Sequence, residues 1–246
     1  MHQFFVDPHQ IQGNRILIEG SDVNHIKNVL RMKVGEELAV SNGQDGKEYG
    51  CTILEFQEDS IVCELRSVKE DGAELSSQVY LFQGLPKADK MEMIIQKCVE
   101  LGVHAIVPVA TKRCVVKLDD KKAKSKITRW QGIAEAAAKQ SKRRIVPQIM
   151  DVMSFRQAIG FVQDFEVKII PYELAEDMAK TKEIIQAIKP GQRIAVFIGP
   201  EGGFDESEVS EALSSGTEPI TLGKRILRTE TAGFTVMSWI MYQLEN

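Results

Sequence analysis

The sequence predicts an α/β protein with a small N-terminal β-barrel domain and a larger C-terminal domain, whose parallel sheet is covered by helices. Three observations indicate this. Short apolar or alternating runs separated by turn residues fill the N-terminal region. From Val79 onward, near-continuous apolar runs alternate with helical patterns. Between them, Lys69 to Ser77 is polar and aperiodic, which is typical of a linker and places the domains at 1–72 and 73–246.

The N-terminal region contains four predicted strands and one helix. Turn signals such as Asn42-Gly43 and Asp45-Gly46 separate the strands. The helix is expected from about Asp22 to Met32, with Ser21 or Asp22 as its cap. The predicted strands are Arg15 to Glu19, Glu37 to Val40, Tyr49 to Phe56, and Ile61 to Leu65.

The C-terminal region alternates predicted strands and helices, and in that architecture ligands bind at the carboxyl ends of the strands. A first helix from Ala88 to Leu101 places apolar residues on one side, and Gly102 follows as a stop signal. Further helices are expected over 126–141, 178–188, 206–214 and 231–244. The predicted strands are Val79 to Leu85, Ala105 to Ala110, Val167 to Pro171, Ile194 to Ile198, and Pro219 to Leu222.

Composition narrows the function classes. The formal net charge is −4, yet 12 Lys/Arg stand against 3 Asp/Glu between Lys112 and Arg144, a local +9. This asymmetry is typical either of a localised polyanion contact or of a solvated helix face, and charge does not separate the two. No apolar run reaches the roughly 20 residues of a membrane span, and the N-terminus lacks a signal peptide, so we expect a cytosolic protein. The 4 cysteines include no C-x-x-C pair, so we expect no metal site.

The first candidate site is Gly199-Pro200-Glu201-Gly202-Gly203, where a buried strand runs into a tight turn before a helix. Backbone amides at a helix start usually favour anions. Here the carboxylates of Glu201, Asp205 and Glu206 oppose a phosphate, and the turn lacks G-x-G-x-x-G and the lysine of a P-loop. The segment therefore predicts a ligand without phosphate, carrying hydroxyls, an amine or a positive centre. The alternative is an ordinary glycine-rich connection.

The second candidate site runs from Leu222-Gly223 through Ile226-Leu227-Arg228, and again a short strand ends at a glycine before a helix. Arg225 and Arg228 lie beside Glu230, so we expect one arginine to pair with that carboxylate and the other to face substrate. The helix that follows is apolar nearly all round, which is typical of deep core or of a subunit interface.

At these residues the chain resembles the RsmE family, the bacterial 16S ribosomal RNA uracil-N3 methyltransferases of the SPOUT superfamily. The two glycine segments together carry the resemblance most specifically, and it covers essentially the whole chain. The other matching motifs are Lys87 with Glu100-Leu101-Gly102-Val103, Arg113 with Val115-Val116-Lys117, Arg129-Trp130 with Glu135 and Lys139-Gln140-Ser141, and His25 with Val29-Leu30-Arg31 and Val34-Gly35.

The resemblance implies a fold, a cofactor and partners. It implies a PUA-like RNA-binding barrel at the N-terminus and an α/β domain tied in a deep trefoil knot at the C-terminus. The implied cofactor is S-adenosyl-L-methionine, the substrate is one decoding-region uridine of 16S rRNA in the small ribosomal subunit, and the assembly is a homodimer. The chain departs from the family at its start, where His2-Gln3 stand in place of the arginines of many relatives, and 7 Lys/Arg against 13 Asp/Glu through Asp71 make the region acidic.

Roles for individual residues follow from the same motifs. N3 of uracil is a poor nucleophile while protonated, and its acidity lies near that of a phenol, about 10. Arg228 is expected to stabilise the developing anion, and Glu201 or Glu230 serves either as a base or structurally. The expected cofactor residues are Pro171, Tyr172, Glu173, Ile198, Gly199, Pro200, Glu201, Gly202, Gly203, Leu222, Gly223, Ile226, Leu227, Arg228, Thr231 and Ala232. The expected RNA-binding residues are Lys27, Arg31, Lys33, Lys87, Arg113, Arg129, Gln140, Lys142, Arg143 and Arg144.

Three other functions remain open at this point. One is a ribose 2′-O-methyltransferase of the same superfamily, and another is a non-catalytic RNA-binding ribosome assembly factor. The third, a nucleotide-binding enzyme, is disfavoured by the acidic glycine turn and the missing phosphate motifs.

Overall fold

The computed structural model describes residues 2–70, 72–173, 175 and 177–245. The chain divides into two units, one formed by 1–74 with 138–146 and the other by 75–137 with 147–246. Asp71, in the predicted linker, lies outside the described residues. The sequence patterns gave no sign that 138–146 would join the N-terminal unit.

The first unit is built on a mixed sheet with a buried apolar core. The described strands are β1 (Gln3–Phe5), β2 (Ile11–Gln12), β3 (Arg15–Glu19), β4 (Glu37–Ser41), β5 (Glu48–Phe56) and β6 (Ser60–Lys69). They lie in the order β1-β4-β5-β6-β3-β2. The β1–β4 pair is parallel and the other pairs are antiparallel. Inward residues such as Ile18, Leu38 and Ile53 are fully buried, as alternation along a strand requires.

The helix expected from Asp22 to Met32 forms only in part. A 3₁₀ turn (Pro8–Gln10) precedes the short helix α1 (Ser21–Asn24), which continues as a π-helical turn (His25–Val29). In that turn the Leu30 N–H donates to the His25 carbonyl at 2.9 Å. Arg31 then adopts a φ of 54°, which ends the helix before Met32.

The second unit contains a parallel sheet, as predicted. Its described strands are β7 (Gln78–Gly84), β8 (Ala105–Ala110), β9 (Gln148–Ile149), β10 (Met153–Ser154), β11 (Val167–Pro171), β12 (Arg193–Ile198) and β13 (Glu218–Ile220). The order is β10-β8-β7-β12-β11-β13, with β9 paired to β8, and every pair is parallel. The middle strands are buried because helices cover both faces.

Most of the expected helices are present, with shifted ends. The described helices are α2 (Lys90–Glu100), α3 (Asp120–Gln140), α4 (Phe155–Phe161), α5 (Met178–Gln186), α6 (Glu206–Ser214) and α7 (Thr229–Leu244). Helix α4 was not predicted, although Ser154 and Gln157 form a capping box at its start. Helix α3 begins at Asp120, ahead of the predicted start at 126. These first turns were not predicted, because they are polar and carry no apolar periodicity. None of the described helices has the length and apolar character needed to cross a membrane.

The sheet core positions the candidate site. Phe82 of β7 and Phe197 of β12 stack with ring centroids 4.7 Å apart, and both are fully buried. This packing fixes the two central strands side by side, so that the chain segments leaving their carboxyl ends start from neighbouring points.

Candidate active site

The first glycine turn is packed tightly against the end of β7. Ile198 lies opposite Gln83 in the parallel register of β12 and β7. A Cβ on Gly84 would lie 2.6 Å from Pro200 Cδ and 2.7 Å from Pro200 N. A Cβ on Gly199 would lie 3.0 Å from Gly203 Cα. Because these neighbours are backbone atoms and a proline ring, only glycine fits at positions 84 and 199.

Hydrogen bonds hold both ends of the second glycine segment in place. At its start, the Tyr172 N–H donates to the Ile220 carbonyl at 3.0 Å, which places 171–173 beside the end of β13. At its end, Thr229 Oγ1 donates to the Gly199 carbonyl at 2.5 Å and accepts a hydrogen bond from Gln83 Nε2 at 2.9 Å. The predicted cofactor residues therefore lie on segments that leave the carboxyl ends of the neighbouring strands β12, β11 and β13.

A charged cluster of Lys90, Glu201 and Glu230 borders the first glycine turn. Lys90 Nζ lies 2.9 Å from Glu201 Oε1 and 3.5 Å from Glu230 Oε2. The backbone N–H of Lys87 also donates to Glu201 Oε1, at 3.1 Å. Partial desolvation by itself raises the pKa of Glu201, but the hydrogen bonds from Lys90 and from backbone N–H groups outweigh it and hold that pKa below its ordinary value. Glu201 is therefore a weak proton acceptor, since an effective base has a pKa near the working pH.

Glu230 and Arg228 lie close together in sequence and have opposite environments. Glu230 is 8% exposed, and its Oε2 atom has no hydrogen-bond partner among the described residues. Arg228 is the N-cap residue of α7, is exposed, and makes no side-chain capping hydrogen bond. We expected an arginine to pair with Glu230, but the structure places Lys90 there instead.

The loop after β8 lies against the acidic start of α6. Arg113 Nη1 donates to the Gly202 carbonyl at 3.3 Å, and Lys112 Nζ donates to Ser207 Oγ at 2.6 Å. Hydrogen bonds from the Ser207 side chain and backbone, helped by the charges of Lys112 and Arg113, lower the pKa of Asp205. The two basic residues thus offset the carboxylates that surround the glycine turn.

Comparison with known proteins identifies the family. Residues 73–241 match the family model of an RNA methyltransferase domain, and residues 18–66 match that of an RNA methyltransferase PUA domain. The chain belongs to this RNA methyltransferase family. It is 42% identical over 231 residues to the ribosomal RNA small subunit methyltransferase E of Bacillus subtilis (strain 168), covering 93% of this chain and 90% of that protein. The same-named protein of Mesomycoplasma hyopneumoniae (strain 232) is 32% identical, with 97% and 98% covered.

Solved structures of related methyltransferases share the fold. The ribosomal RNA small subunit methyltransferase E of Neisseria gonorrhoeae, bound to S-adenosyl methionine, superposes with a TM-score of 0.82 at 31% identity, covering 97% of this chain and 96% of that one. A Legionella pneumophila methyltransferase in complex with the same cofactor gives 0.83 at 30% identity, with 98% and 96% covered. The predicted α/β architecture with an N-terminal PUA-like domain is therefore confirmed.

Several residues expected to bind RNA are exposed in their own units. In the second unit Lys87 and Arg113 are exposed, whereas Arg129 forms an ion pair of 2.8 Å with Glu92. In the first unit Lys27 Nζ donates to the carbonyls of Gln57 and Glu58. The exposed members of the set in that unit are Arg31, Lys33, Gln140 and Lys142.

Arg143 and Arg144 do not lie on a surface open to RNA, which corrects the sequence expectation. Arg143 is 3% exposed, and its Nε and Nη2 atoms donate to Glu74 Oε2 at 3.1 and 2.5 Å. Arg144 is 8% exposed and donates to the Lys69 carbonyl at 3.1 Å. A guanidinium enclosed in this way keeps its protein partners, because exchanging them for a phosphate would take the counter-charge away from the Glu74 carboxylate, which is only 19% exposed.

Three residues that organise this site were not predicted: Gln83, Thr229 in its role of joining the two glycine segments, and Lys90. Gln83 had a signal, since it is a lone polar residue in the apolar run of β7, where it is fully buried. No sequence signal marked Lys90, because lysines are common near the start of a helix and the two partners of Lys90, Glu201 and Glu230, are distant in sequence.

Proposed function

We propose that the protein is a 16S rRNA (uracil-N3)-methyltransferase that uses S-adenosyl-L-methionine. The observation that carries this proposal is the joining of the two glycine segments by the Thr229–Gly199 hydrogen bond, beside the cluster of Lys90, Glu201 and Glu230. It is supported by relatives named for methylation of small-subunit ribosomal RNA.

The residues present fit this cofactor. Lys90 balances only one of the two carboxylates of Glu201 and Glu230, so the cluster retains negative charge suited to a cationic ligand. Glu230 Oε2 is a buried acceptor without a hydrogen bond among the described residues. The two glycine segments, together with 171–173, would hold the cofactor, which supplies an activated methyl group on a sulfonium centre when bound.

The chain's own residues must then make uracil N3 nucleophilic. With an acidity of about 10, N3 is mostly protonated at neutral pH and must lose its proton, which passes to water, before its lone pair can take the methyl group; stabilisation of the anion raises the small ionised fraction. Arg228 is suited to this task because its guanidinium is permanently charged and exposed at the start of α7. The lowered pKa of Glu201 argues against that carboxylate as the base.

The finer expectations of fold and assembly belong to the same proposal. Residues 221–228 run from the edge strand β13 back to Gly199 beside the central strands, a course that the trefoil knot of the SPOUT superfamily requires. The exposed apolar side chains of Ile226 and Tyr242, 87% and 72% exposed, favour a homodimer that covers them. The substrate is the small ribosomal subunit in the cytoplasm, contacted by the PUA-like domain and by the exposed basic residues.

A methyl-transfer assay on small subunits lacking the modification tests the proposal. With labelled S-adenosyl-L-methionine, the expected product is N3-methyluridine at one decoding-region position, identified as a nucleoside by mass spectrometry. A 2′-O-methylated nucleoside would replace the N3 assignment with the ribose alternative. An absence of cofactor binding in calorimetry would favour the assembly-factor alternative.

The role of Arg228 is tested separately. Arg228→Ala should abolish methylation and preserve cofactor binding, because the loss removes charge stabilisation from the base and leaves the glycine segments intact. Arg156→Ala is the control, because Arg156 is exposed on α4 outside both glycine segments, and this variant should retain turnover. Near-normal turnover of the Arg228 variant would refute the assignment.

A further inference from the structure

We infer that Lys90 is a positioning residue for methyl transfer, acting through Glu201 and Glu230; this inference rests on the proposed function. Lys90 is the first residue of α2, a helix that supplies none of the expected site residues. Its ammonium group nevertheless lies within ion-pair distance of both carboxylates, 2.9 Å from one and 3.5 Å from the other.

The two partners of Lys90 belong to the two glycine segments. Glu201 lies inside the first glycine turn, between Pro200 and Gly202. Glu230 is the second residue of α7, directly after Thr229 and close behind Arg228. One ammonium group therefore joins the turn that would hold the cofactor to the helix start that carries the proposed anion-stabilising arginine.

The cluster is shielded enough for its charges to matter. The side chains of Lys90 and Glu201 are 26% and 28% exposed, and that of Glu230 is 11% exposed. Fully exposed ion pairs contribute little because solvent screens them, whereas removing one partner of an enclosed pair leaves an uncompensated charge. Glu230 is the more sensitive partner, since its Oε2 atom has no hydrogen bond with a described residue.

Loss of the ammonium group forces a local change. Glu230 is left as an enclosed carboxylate without a counter-charge and must turn toward solvent, whereas Glu201 keeps the hydrogen bond from the backbone N–H of Lys87. That movement displaces the start of α7, and with it Thr229 and Arg228. Cofactor affinity and turnover should both fall, although neither Lys90 nor α2 would touch the reacting atoms.

Lys97 offers a matched control on the same helix. Its ammonium group pairs with Glu100 at 2.8 Å, and its side chain is 44% exposed. Lys97→Met removes the same charge from the same helix with no link to either glycine segment. Lys90→Arg is the conservative variant, because a guanidinium can bridge two carboxylates.

The experiment compares wild type, Lys90→Met, Lys90→Arg and Lys97→Met on unmethylated small subunits, with kcat, KM for the cofactor, cofactor Kd and Tm measured for each. Lys90→Met should weaken cofactor binding by roughly tenfold or more and lower kcat when assayed well below its Tm, and its Tm should fall further than that of Lys97→Met because Glu230 loses its counter-charge. Lys90→Arg should recover much of both losses. Glu230→Gln should add less to Lys90→Met than it costs by itself, because the two residues act together.

The outcomes separate this inference from the proposed function. Wild-type Kd and kcat in Lys90→Met would overturn the role of Lys90 and leave the methyltransferase function standing. The same conclusion would follow if Lys90→Arg lost as much activity, cofactor affinity and Tm as Lys90→Met. A wild-type protein that neither binds the cofactor nor methylates small subunits would overturn both.

Discussion

Replacement of Gly84 by alanine should disturb the candidate active site, although Gly84 itself is not among the residues predicted to bind the cofactor. The added methyl group would lie 2.6 Å from Pro200 Cδ, 2.7 Å from Pro200 N and 3.1 Å from Gly199 C. These distances are well inside van der Waals contact, and a proline ring and backbone cannot rotate away. Forcing a methyl group into such a site costs about 1–3 kcal/mol.

The same displacement should reach the cofactor. Gly199 is hydrogen-bonded to Thr229, so moving the first glycine turn also strains the start of α7. For a chain of this size, each kcal/mol lowers Tm by roughly 2–4 °C. We therefore expect Gly84→Ala to melt a few degrees lower and to bind S-adenosyl-L-methionine more weakly.

Thermal unfolding and titration calorimetry measure both effects, and Gly132→Ala is the control. Gly132 lies in α3, and a Cβ there would meet nothing within 4 Å. Alanine at such a helical position stabilises by about 0.5–1 kcal/mol. If Gly84→Ala were as stable as Gly132→Ala and bound the cofactor normally, the close approach of β7 to the glycine turn would not constrain the site as argued.

Two further predictions concern the N-terminal unit. Arg143→Met should destabilise the protein by about 3–5 kcal/mol in denaturant unfolding, because Glu74 loses an enclosed partner. Lys47→Met breaks an exposed pair with Glu70, which solvent screens, and should leave the free energy of unfolding nearly unchanged. Equal costs of the two substitutions would contradict this. Tyr49 should titrate late, because its hydrogen bond to Asp45 raises its pKa to about 12. The stabilisation from this raised pKa is complete below the ordinary value of 10.0 and is lost as pH rises toward 12. The difference between the tyrosinate absorbance titrations of wild type and Tyr49→Phe reports Tyr49 alone, and a midpoint near 10.0 in that difference would refute the prediction.

Local patterns were sufficient for much of the secondary structure. Strands such as β3 and β12 and helices such as α6 were predicted nearly to the residue, because alternation, apolar runs and capping residues are properties of the neighbouring sequence. The π-helical turn after α1 could not be predicted in this way. The apolar spacing of this segment resembles that of an α-helix. The packing of Ile26 in the core and the positive φ of Arg31 decide where the turn ends.

The basic stretch shows where charge patterns stop being informative. Lys142, Arg143 and Arg144 are chemically alike in the sequence, yet Lys142 is exposed and both arginines are buried against acceptors of the N-terminal unit. Which charges remain available to RNA depends on Glu74 and the Lys69 carbonyl, and these partners are far away along the chain.

The sequence alone predicted the α/β class, the two glycine segments as a candidate site, and a ligand without phosphate, because turn chemistry and local charge depend on adjacent residues. Only the tertiary structure decided that Thr229 and Gln83 tie these segments together, and that Lys90 rather than an arginine pairs with Glu230. These contacts join residues that are far apart in sequence and that come close only when β7, β12, α2 and α7 pack together. The contacts therefore contribute to stability only in the folded protein.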